Sequence, residues 1–344
     1  MIVDHAYDLV TDDLFLRLDG LLPHAELFLK LEGLNPAGSV KLKTATGLVE
    51  DAERRGVLRP GGSLIESSSG NLGIALSAVC AAKGYTFTCV TDPNVPRQSV
   101  ALMRAFGAHV CVVDTRDGNG GYLGSRIALI RSALDLDPSL TWLNQYANPA
   151  NPAVHAARTA AAVLREIRTV DYLFVGAGTT GTVMGCAAHF RRHSPRTTVV
   201  AVDAEGSVTF GGPPGPRRIP GLGTSRVPEI CRPRDVHRVV SVPERDAVLM
   251  CRRLARSHGL AVGGSTGSVL SAVLRLRSGI PPGARVVALS ADLGERYLDT
   301  VYDDAWVTGH FGAAAAGPSG RPRDPGASPV TAHGSTKAAP EEVR

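Results

Sequence analysis

The stretch Tyr172-Leu173-Phe174-Val175-Gly176-Ala177-Gly178-Thr179-Thr180-Gly181-Thr182 decides the fold class. Its first four residues are apolar and β-prone, a glycine loop follows at once, and Gly181 to Phe190 has helical composition. Strand, glycine loop and helix in immediate succession make the repeating unit of a parallel α/β sheet. The unit recurs in both directions along the chain. Leu27 to Leu31, Ser63 to Ile65, Thr86 to Thr91, His109 to Val113, Thr198 to Val202, Arg238 to Val242 and Arg285 to Ser290 read as strands. Several are nearly continuous in apolar character, as strands covered on both faces are. Between them Val40 to Arg54, Asn71 to Lys83, Gln98 to Phe106, Ala153 to Arg168 and Glu244 to Ser257 read as helices, several stopping at a glycine such as Gly56, Gly84, Gly107 or Gly259. The expected architecture is α/β with open, mostly parallel sheets.

Two interruptions divide this alternation. Asn148-Pro149-Ala150-Asn151-Pro152 forbids a continuous helix or a central strand and marks a crossing between domains. Residues 204 to 235 are rich in Gly, Pro and Arg and read as a long excursion beside an active site. From about residue 311 the chain turns to Ala, Gly, Pro and Ser, which predicts a disordered tail over 311–344.

Composition excludes several classes of function. The chain has 344 residues, enough for two domains, with 44% hydrophobic and 20% charged residues, as a folded globular protein has. Aromatic residues are only 5% and the net charge of +5 is spread singly or in pairs such as Arg191-Arg192, so a nucleic-acid partner is not expected. The six cysteines form no CxxC pair, which leaves neither a zinc site nor a redox motif, and no metal is expected. No run reaches the roughly 18 apolar residues of a membrane helix, and the acidic N-terminal stretch resembles no secretory signal. The expected location is the cytoplasm, with no membrane partner.

Four constellations carry chemistry. Asn35-Pro36-Ala37-Gly38-Ser39-Val40-Lys41 is a turn feeding a helix, and an amine in a first helical turn feels the positive end of the dipole, which favours the free base. Lys43, two positions on, is as plausible from these residues alone. Glu66-Ser67-Ser68-Ser69-Gly70-Asn71-Leu72-Gly73 sets hydroxyls and an amide at a helix N-terminus, either a carboxylate or phosphate socket or a capped turn. Gly176 to Thr182 offers close backbone approach and threonine donors, suited to a phosphate. Read as GxGxxG with Asp203 as the ribose acid, it also fits a dinucleotide-binding dehydrogenase. Gly263-Gly264-Ser265-Thr266-Gly267-Ser268 places a further hydroxyl at a helix entrance.

In combination the four motifs resemble the cysteine synthase family, fold type II pyridoxal-phosphate enzymes of the tryptophan synthase β type, over roughly residues 10 to 307. Gln145 with Asn148 to Pro152, and Gly294-Glu295-Arg296-Tyr297-Leu298, match as well. The resemblance implies pyridoxal 5'-phosphate as cofactor, with Lys41 bonded to it, Asn71 at its ring hydroxyl and Ser265 at its pyridine nitrogen. Gly178, Thr179, Thr180, Gly181 and Thr182 would cradle its phosphate. Ser68, Ser69, Asn71 and Gln145 would hold a substrate carboxylate. It further implies a smaller mobile domain over 46–147, a larger cofactor-binding domain from 1–45 and 148–310, amino-acid substrates and a homodimer.

The departures point to one branch. Typical members follow the lysine motif with Asp-Arg and place Thr after the asparagine, where this chain has Leu42-Lys43 and Leu72, which puts one carboxylate contact in question. Asn119 to Ile127 and Ile219-Pro220-Gly221-Leu222-Gly223-Thr224-Ser225 are similar to the siderophore-pathway branch, which joins O-phospho-L-serine to L-glutamate on the way to 2,3-diaminopropionate. A sulfide-using cysteine synthase, a dehydrogenase and a catalytically silent homologue are the alternatives. A phosphoserine donor calls for arginine near the leaving group. Arg126, behind a glycine turn in the smaller domain, is favoured for it, ahead of Arg218 and of Arg217 and Arg226 in the excursion.

Overall fold

A computed structural model describes residues 2–68, 70–118 and 120–316. The strands are β1 (Phe15–Arg17), β2 (Glu26–Leu31), β3 (Ser63–Ser67), β4 (Thr86–Thr91), β5 (His109–Val112), β6 (Thr141–Trp142), β7 (Tyr172–Gly176), β8 (Thr198–Ala204), β9 (Arg238–Val242) and β10 (Arg285–Ser290). The helices are α1 (Lys41–Arg54), α2 (Asn71–Lys83), α3 (Arg97–Ala105), α4 (Leu123–Leu136), α5 (Ala150–Val154), α6 (Ala161–Ile167), α7 (Gly181–His193), α8 (Glu244–His258), α9 (Gly264–Arg275), α10 (Asp304–Phe311) and α11 (Ala313–Ala316). A π-helical turn, His155–Ala160, joins α5 to α6.

The strands form two sheets, one in the order β1-β2-β10-β7-β8-β9 and one in the order β5-β4-β3-β6. All neighbours pair in parallel except β1, which runs antiparallel to β2 at the edge of the larger sheet. Both faces of each sheet are covered, which is why the strands lack strict alternation. One core joins α8 and α9 to the larger sheet through Phe174, Val200, Val248, Leu254 and Val269, and α7 covers the opposite face through Val183, Phe190, Val199 and Val287. The smaller sheet buries Leu64, Phe87 and Cys89 against α1, α2 and Met103 of α3, while Ile130 of α4 packs on Ile65 and Val90 behind it.

The chain crosses between these bodies at the places that matter for chemistry. It leaves β2 of the larger sheet, turns at Gly38, and enters α1, whose Leu42, Leu48 and Val49 belong to the core of the smaller sheet. It returns after β6 through α5, which packs on both α1 and α7.

Some expectations are corrected. Helix α4 does not stand out in the sequence because its buried stripe, Leu123, Arg126, Ile127 and Ile130, has an arginine at an apolar position. The two-residue β6 and the edge strand β1 are too short to carry a pattern. The expectation of a disordered tail from residue 311 fails over 311–316: Phe311 closes α10, α11 follows, and Ala315 is buried in the larger core at 1% exposure. The rest of that tail, 317–344, lies outside the described residues. Cys80, Cys89, Cys186 and Cys251 are buried free thiols, Cys111 and Cys231 partly so.

Candidate active site

Four helices begin at one cavity between the sheets, lined by Lys41 of α1, Asn71 of α2, Gly181 of α7 and Ser265 of α9. None is closed by a side chain at its capping position. The first N–H groups of a helix lack intrahelical acceptors and carry partial positive charge, so their convergence favours anions.

The two lysines part company at once. Lys41 lines the cavity, and burial pushes its amine down from 10.5 to about 8 against the pull of Asp292. Lys43, two residues further round the helix, points into the protein, with Nζ 2.6 Å from Glu32 and 2.5 Å from Asp12. Lys30 joins the same buried cluster, 3.0 Å from Glu32. Lys43 is thus held by two carboxylates away from the cavity.

Across the cavity, Gly178, Thr179, Thr180, Gly181 and Thr182 form the loop from β7 into α7. Thr180 has a φ of +68°, a left-handed conformation uncommon for a β-branched residue, and its buried Oγ1 finds no nitrogen or oxygen partner among the described residues. A Cβ on Gly181 would come within 2.0 Å of Asn151 Oδ1, and one on Gly178 within 2.6 Å of the Gly221 carbonyl. The glycines therefore give the loop its close approach to its neighbours, and the open N–H groups with the Thr180 hydroxyl fit a phosphate group. Behind the loop, His155 Nε2 lies 2.9 Å from Thr44 Oγ1 and 3.4 Å from Thr182 Oγ1, tying α1 to α7. Burial and the charges of Lys41 and Lys43 hold that imidazole well below its usual range, hence neutral.

The carboxylate candidates are placed unevenly. Ser68 Oγ accepts from the N–H groups of Gly70 at 3.2 Å and Gly73 at 2.8 Å, so its proton remains free to donate into the cavity. Gln145 Nε2 gives one hydrogen to the Ser67 carbonyl at 2.8 Å and retains the second. Ser69 lies outside the described residues. Beneath them Glu66 accepts from the N–H groups of Ser67 at 2.7 Å and Gln145 at 3.2 Å and from Trp142 Nε1 at 3.2 Å, while burial pushes its carboxyl up to about 7.

Three further residues complete the wall. Asp292, just after β10, accepts from Asn71 Nδ2 at 2.8 Å, the Tyr297 hydroxyl at 2.5 Å and the Ser265 hydroxyl at 3.3 Å. Burial raises its carboxyl, and the hydrogen bonds of Tyr297 and Asn71, the Arg296 charge and the Ser265 hydroxyl pull it back. Arg296 donates to Asn71 Oδ1 at 2.6 Å and to the Ala37 carbonyl at 2.6 Å. Gly38, at φ +65°, leaves it room, since a Cβ there would sit 2.6 Å from Arg296 Nη2. The sequence gives Asp292 no role, although a carboxylate at the C-terminal end of a parallel strand sits where α/β sites form. Asp203, the rival ribose acid, accepts from the Ala204 N–H at 2.9 Å and does not line the cavity.

A second chamber adjoins the first, sharing the Pro220 to Thr224 segment and Tyr146. Arg116, Arg126, Arg217 and Arg218 line it, against Asp92 as its acid. Arg126 is 5% exposed, 3.4 Å from Asp92, and its Nε has no hydrogen-bond partner among the described residues. Arg217 donates to the Gly206 carbonyl, and the backbone N–H groups of Arg218 and Ile219 donate to Glu244 at 2.7 Å each. Arg226 pairs with Glu229 and lines neither chamber.

A reactive amine facing an anion-binding glycine-threonine loop, across a cavity between two parallel sheets, defines an enzyme that holds a phosphorylated aldehyde. The chain belongs to the pyridoxal-phosphate dependent enzyme family, matched over residues 14–292, and its cofactor is pyridoxal 5'-phosphate. It is 45% identical over 282 residues, 82% of this chain and 83% of the relative, to the N-(2-amino-2-carboxyethyl)-L-glutamate synthase of Ralstonia nicotianae. O-ureido-L-serine synthase superposes with a TM-score of 0.82 at 32% identity, covering 90% of this chain and 100% of that one. The O-acetylserine dependent cystathionine beta-synthase of Helicobacter pylori gives 0.82 at 27% identity, covering 87% and 98%. The fold is thus that of fold type II pyridoxal-phosphate enzymes.

Proposed function

We propose that this enzyme replaces the phosphate of O-phospho-L-serine by the amine of L-glutamate, giving N-(2-amino-2-carboxyethyl)-L-glutamate and phosphate. The observation that carries the reading is the arginine-lined chamber beside the lysine cavity. Sulfide is a single small nucleophile and needs no such space, whereas a phosphorylated donor and a dicarboxylate nucleophile both call for guanidinium partners. The name of the Ralstonia relative supports the same chemistry.

The cofactor, when bound, supplies an electron sink for the bond cleavages at the substrate's α- and β-carbons. Lys41, whose amine is free above about pH 8, takes the α-proton and later returns it. The β-carbon to oxygen bond breaks with its electron pair going to phosphate, and the glutamate nitrogen forms the new bond and gives up one proton. Ser68, Ser69, Asn71 and Gln145 hold the substrate carboxylate, and Gly178 to Thr182 hold the cofactor phosphate. Arg126 takes the donor phosphate, and Arg218, which lines the same chamber, is the second candidate. The smaller sheet with its helices closes over the substrate and excludes water. The family resemblance adds a homodimer and the siderophore branch a product destined for 2,3-diaminopropionate, while the scattered charge and the acidic N-terminal stretch support a cytoplasmic enzyme with no nucleic-acid partner.

Mass spectrometry of the products formed from O-phosphoserine with glutamate and with sulfide in parallel tests the reading. The glutamate adduct is expected to dominate, and cysteine as the sole product would return the protein to the cysteine synthases. Arg126→Ala should cost on the order of 2–4 kcal/mol in kcat/KM for O-phosphoserine and leave O-acetylserine turnover nearly unchanged. Equal losses for both donors would remove the phosphate role from Arg126.

A further inference from the structure

Glu66 opens the serine motif, yet nothing in the reaction above uses it. It is 0% exposed, near the end of β3. The groups that meet its carboxylate can only donate. Oε1 accepts from the Ser67 N–H at 2.7 Å and from Trp142 Nε1 at 3.2 Å, and Oε2 accepts from the Gln145 N–H at 3.2 Å. The Asn144 N–H adds its pull on the same group. Asn144 stands at φ +51°, and this left-handed turn aims two successive N–H groups at one carboxylate, as anion-binding nests do. No ion pair reaches Glu66 among the described residues, and the buried Arg126 pairs with Asp92 instead. A buried carboxylate without a cation is sustained by such hydrogen bonds alone.

These donors divide between the two walls of one socket. Ser67 leads into Ser68, whose hydroxyl is free to donate into the cavity, while Trp142 and Gln145 belong to β6 and the turn after it. Strands β3 and β6 pair only through Leu64 with Thr141 and Ile65 with Trp142, so past that point side chains must join the two segments. Gln145 is fixed there at three places: its N–H on Glu66, its carbonyl accepting from Asn151 Nδ2 at 2.8 Å, and its Nε2 on the Ser67 carbonyl at 2.8 Å. We infer that Glu66 is a positioning residue that holds the Gln145 turn against the Ser67-Ser68 turn and so sets the width of the socket for the substrate's carboxylate. Glu66 itself does not line the cavity. A neutral amide at this position would turn an N–H toward groups that are themselves donors, and would release one wall from the other. The inference rests on the reading of Ser68 and Gln145 as carboxylate contacts, and is independent of which nucleophile the enzyme uses.

O-phosphoethanolamine has the amine and phosphate of O-phosphoserine and lacks its carboxylate, so the ratio of their two dissociation constants isolates the socket. Both are titrated into the cofactor-loaded protein and followed by the cofactor's visible band, at a pH above the value of about 7 to which burial raises Glu66. Glu66→Gln should weaken O-phosphoserine by about 10- to 100-fold, the worth of a hydrogen bond to a charged group, and leave O-phosphoethanolamine within about twofold. Melting and visible absorption establish that the variant is folded and loaded. If it does not take up cofactor, Glu66→Asp decides, because the shorter side chain draws the carboxylate back from the Gln145 N–H and should weaken O-phosphoserine in the same selective way. An unchanged ratio in the variant used, or equal losses for both ligands, overturns the inference. Gln145→Ala separates the two levels of the argument. A ratio that falls there but not on changing Glu66 overturns this inference alone, whereas a ratio untouched by Gln145→Ala overturns the carboxylate reading beneath it.

Discussion

Lys41 and Lys43 stand two positions apart on α1 and differ in almost everything that surrounds them. Lys43 has 1% side-chain exposure and two carboxylate partners, and removing one side of a buried ion cluster leaves the other charge unpaired. Lys43→Met should therefore lower the unfolding free energy by about 3–5 kcal/mol, read as a shifted urea midpoint. Lys41→Ala should change the unfolding free energy by less than about 1 kcal/mol while abolishing cofactor that borohydride can fix to the chain. The Lys41 amine also titrates in an accessible range, since burial brings it to about 8. Below that pH it is protonated and cannot attack, so cofactor capture by the cofactor-free protein should accelerate roughly tenfold per pH unit up to 8 and level off above. A rate still climbing toward pH 10 would mean that the amine is solvated like any surface lysine. The turn alone left Lys41 and Lys43 equal and only the family resemblance chose Lys41, because two positions on a helix differ by a rotation that the partners Asp12 and Glu32 make visible.

Helix α7 shows what an element contributes beyond its first turn. Gly181 and Gly185 lie one turn apart on the same face, against α5 and the π-helical turn, and a Cβ on Gly185 would stand 2.3 Å from the Pro152 carbonyl and 2.8 Å from His155 Cβ. Gly185→Ala should destabilise the protein by about 1–3 kcal/mol through overpacking. It should also push α7 away from α5 and loosen the hydrogen bond between Thr182 and His155. Thermal melting with and without cofactor checks this, and the loss should be larger in the loaded protein. The strand, loop and helix beginning at Tyr172 were readable because glycine, hydroxyl and β-branched residues act locally there. Helix α4 and the place of Asp292 were not, since Arg126 occupies a core position of α4 and Asp292 acquires meaning only from Asn71 and Ser265, which arrive from two other parts of the chain, together with the nearby Tyr297.

In the whole molecule, the cavity exists because the chain passes from one sheet to the other at α1 and back at α5. Every strand of the smaller sheet falls between residues 63 and 142, and the larger sheet gathers strands from both sides of that span. The larger body is closed at its far end by α10 and α11, where Ala315 enters the same core as Val301 and Val307. A chain ended after residue 311 should be less stable than one ended after 316 by about 1 kcal/mol, the value of a buried methyl with its contacts. Equal urea midpoints for the two would show that α11 adds nothing to that core.

The interior thiols carry a practical consequence. Cys80, Cys89, Cys186 and Cys251 are pushed by burial to about 12, so at neutral pH they stay protonated and slow toward maleimides. With Cys111 and Cys231 replaced by serine, the protein becomes a nearly blank background for site-directed labels. A dye pair attached through new cysteines, one on each sheet's outer helices, would then test the proposed closure optically, with a distance change on mixing in each substrate as the expected signal and a constant distance as the result against it.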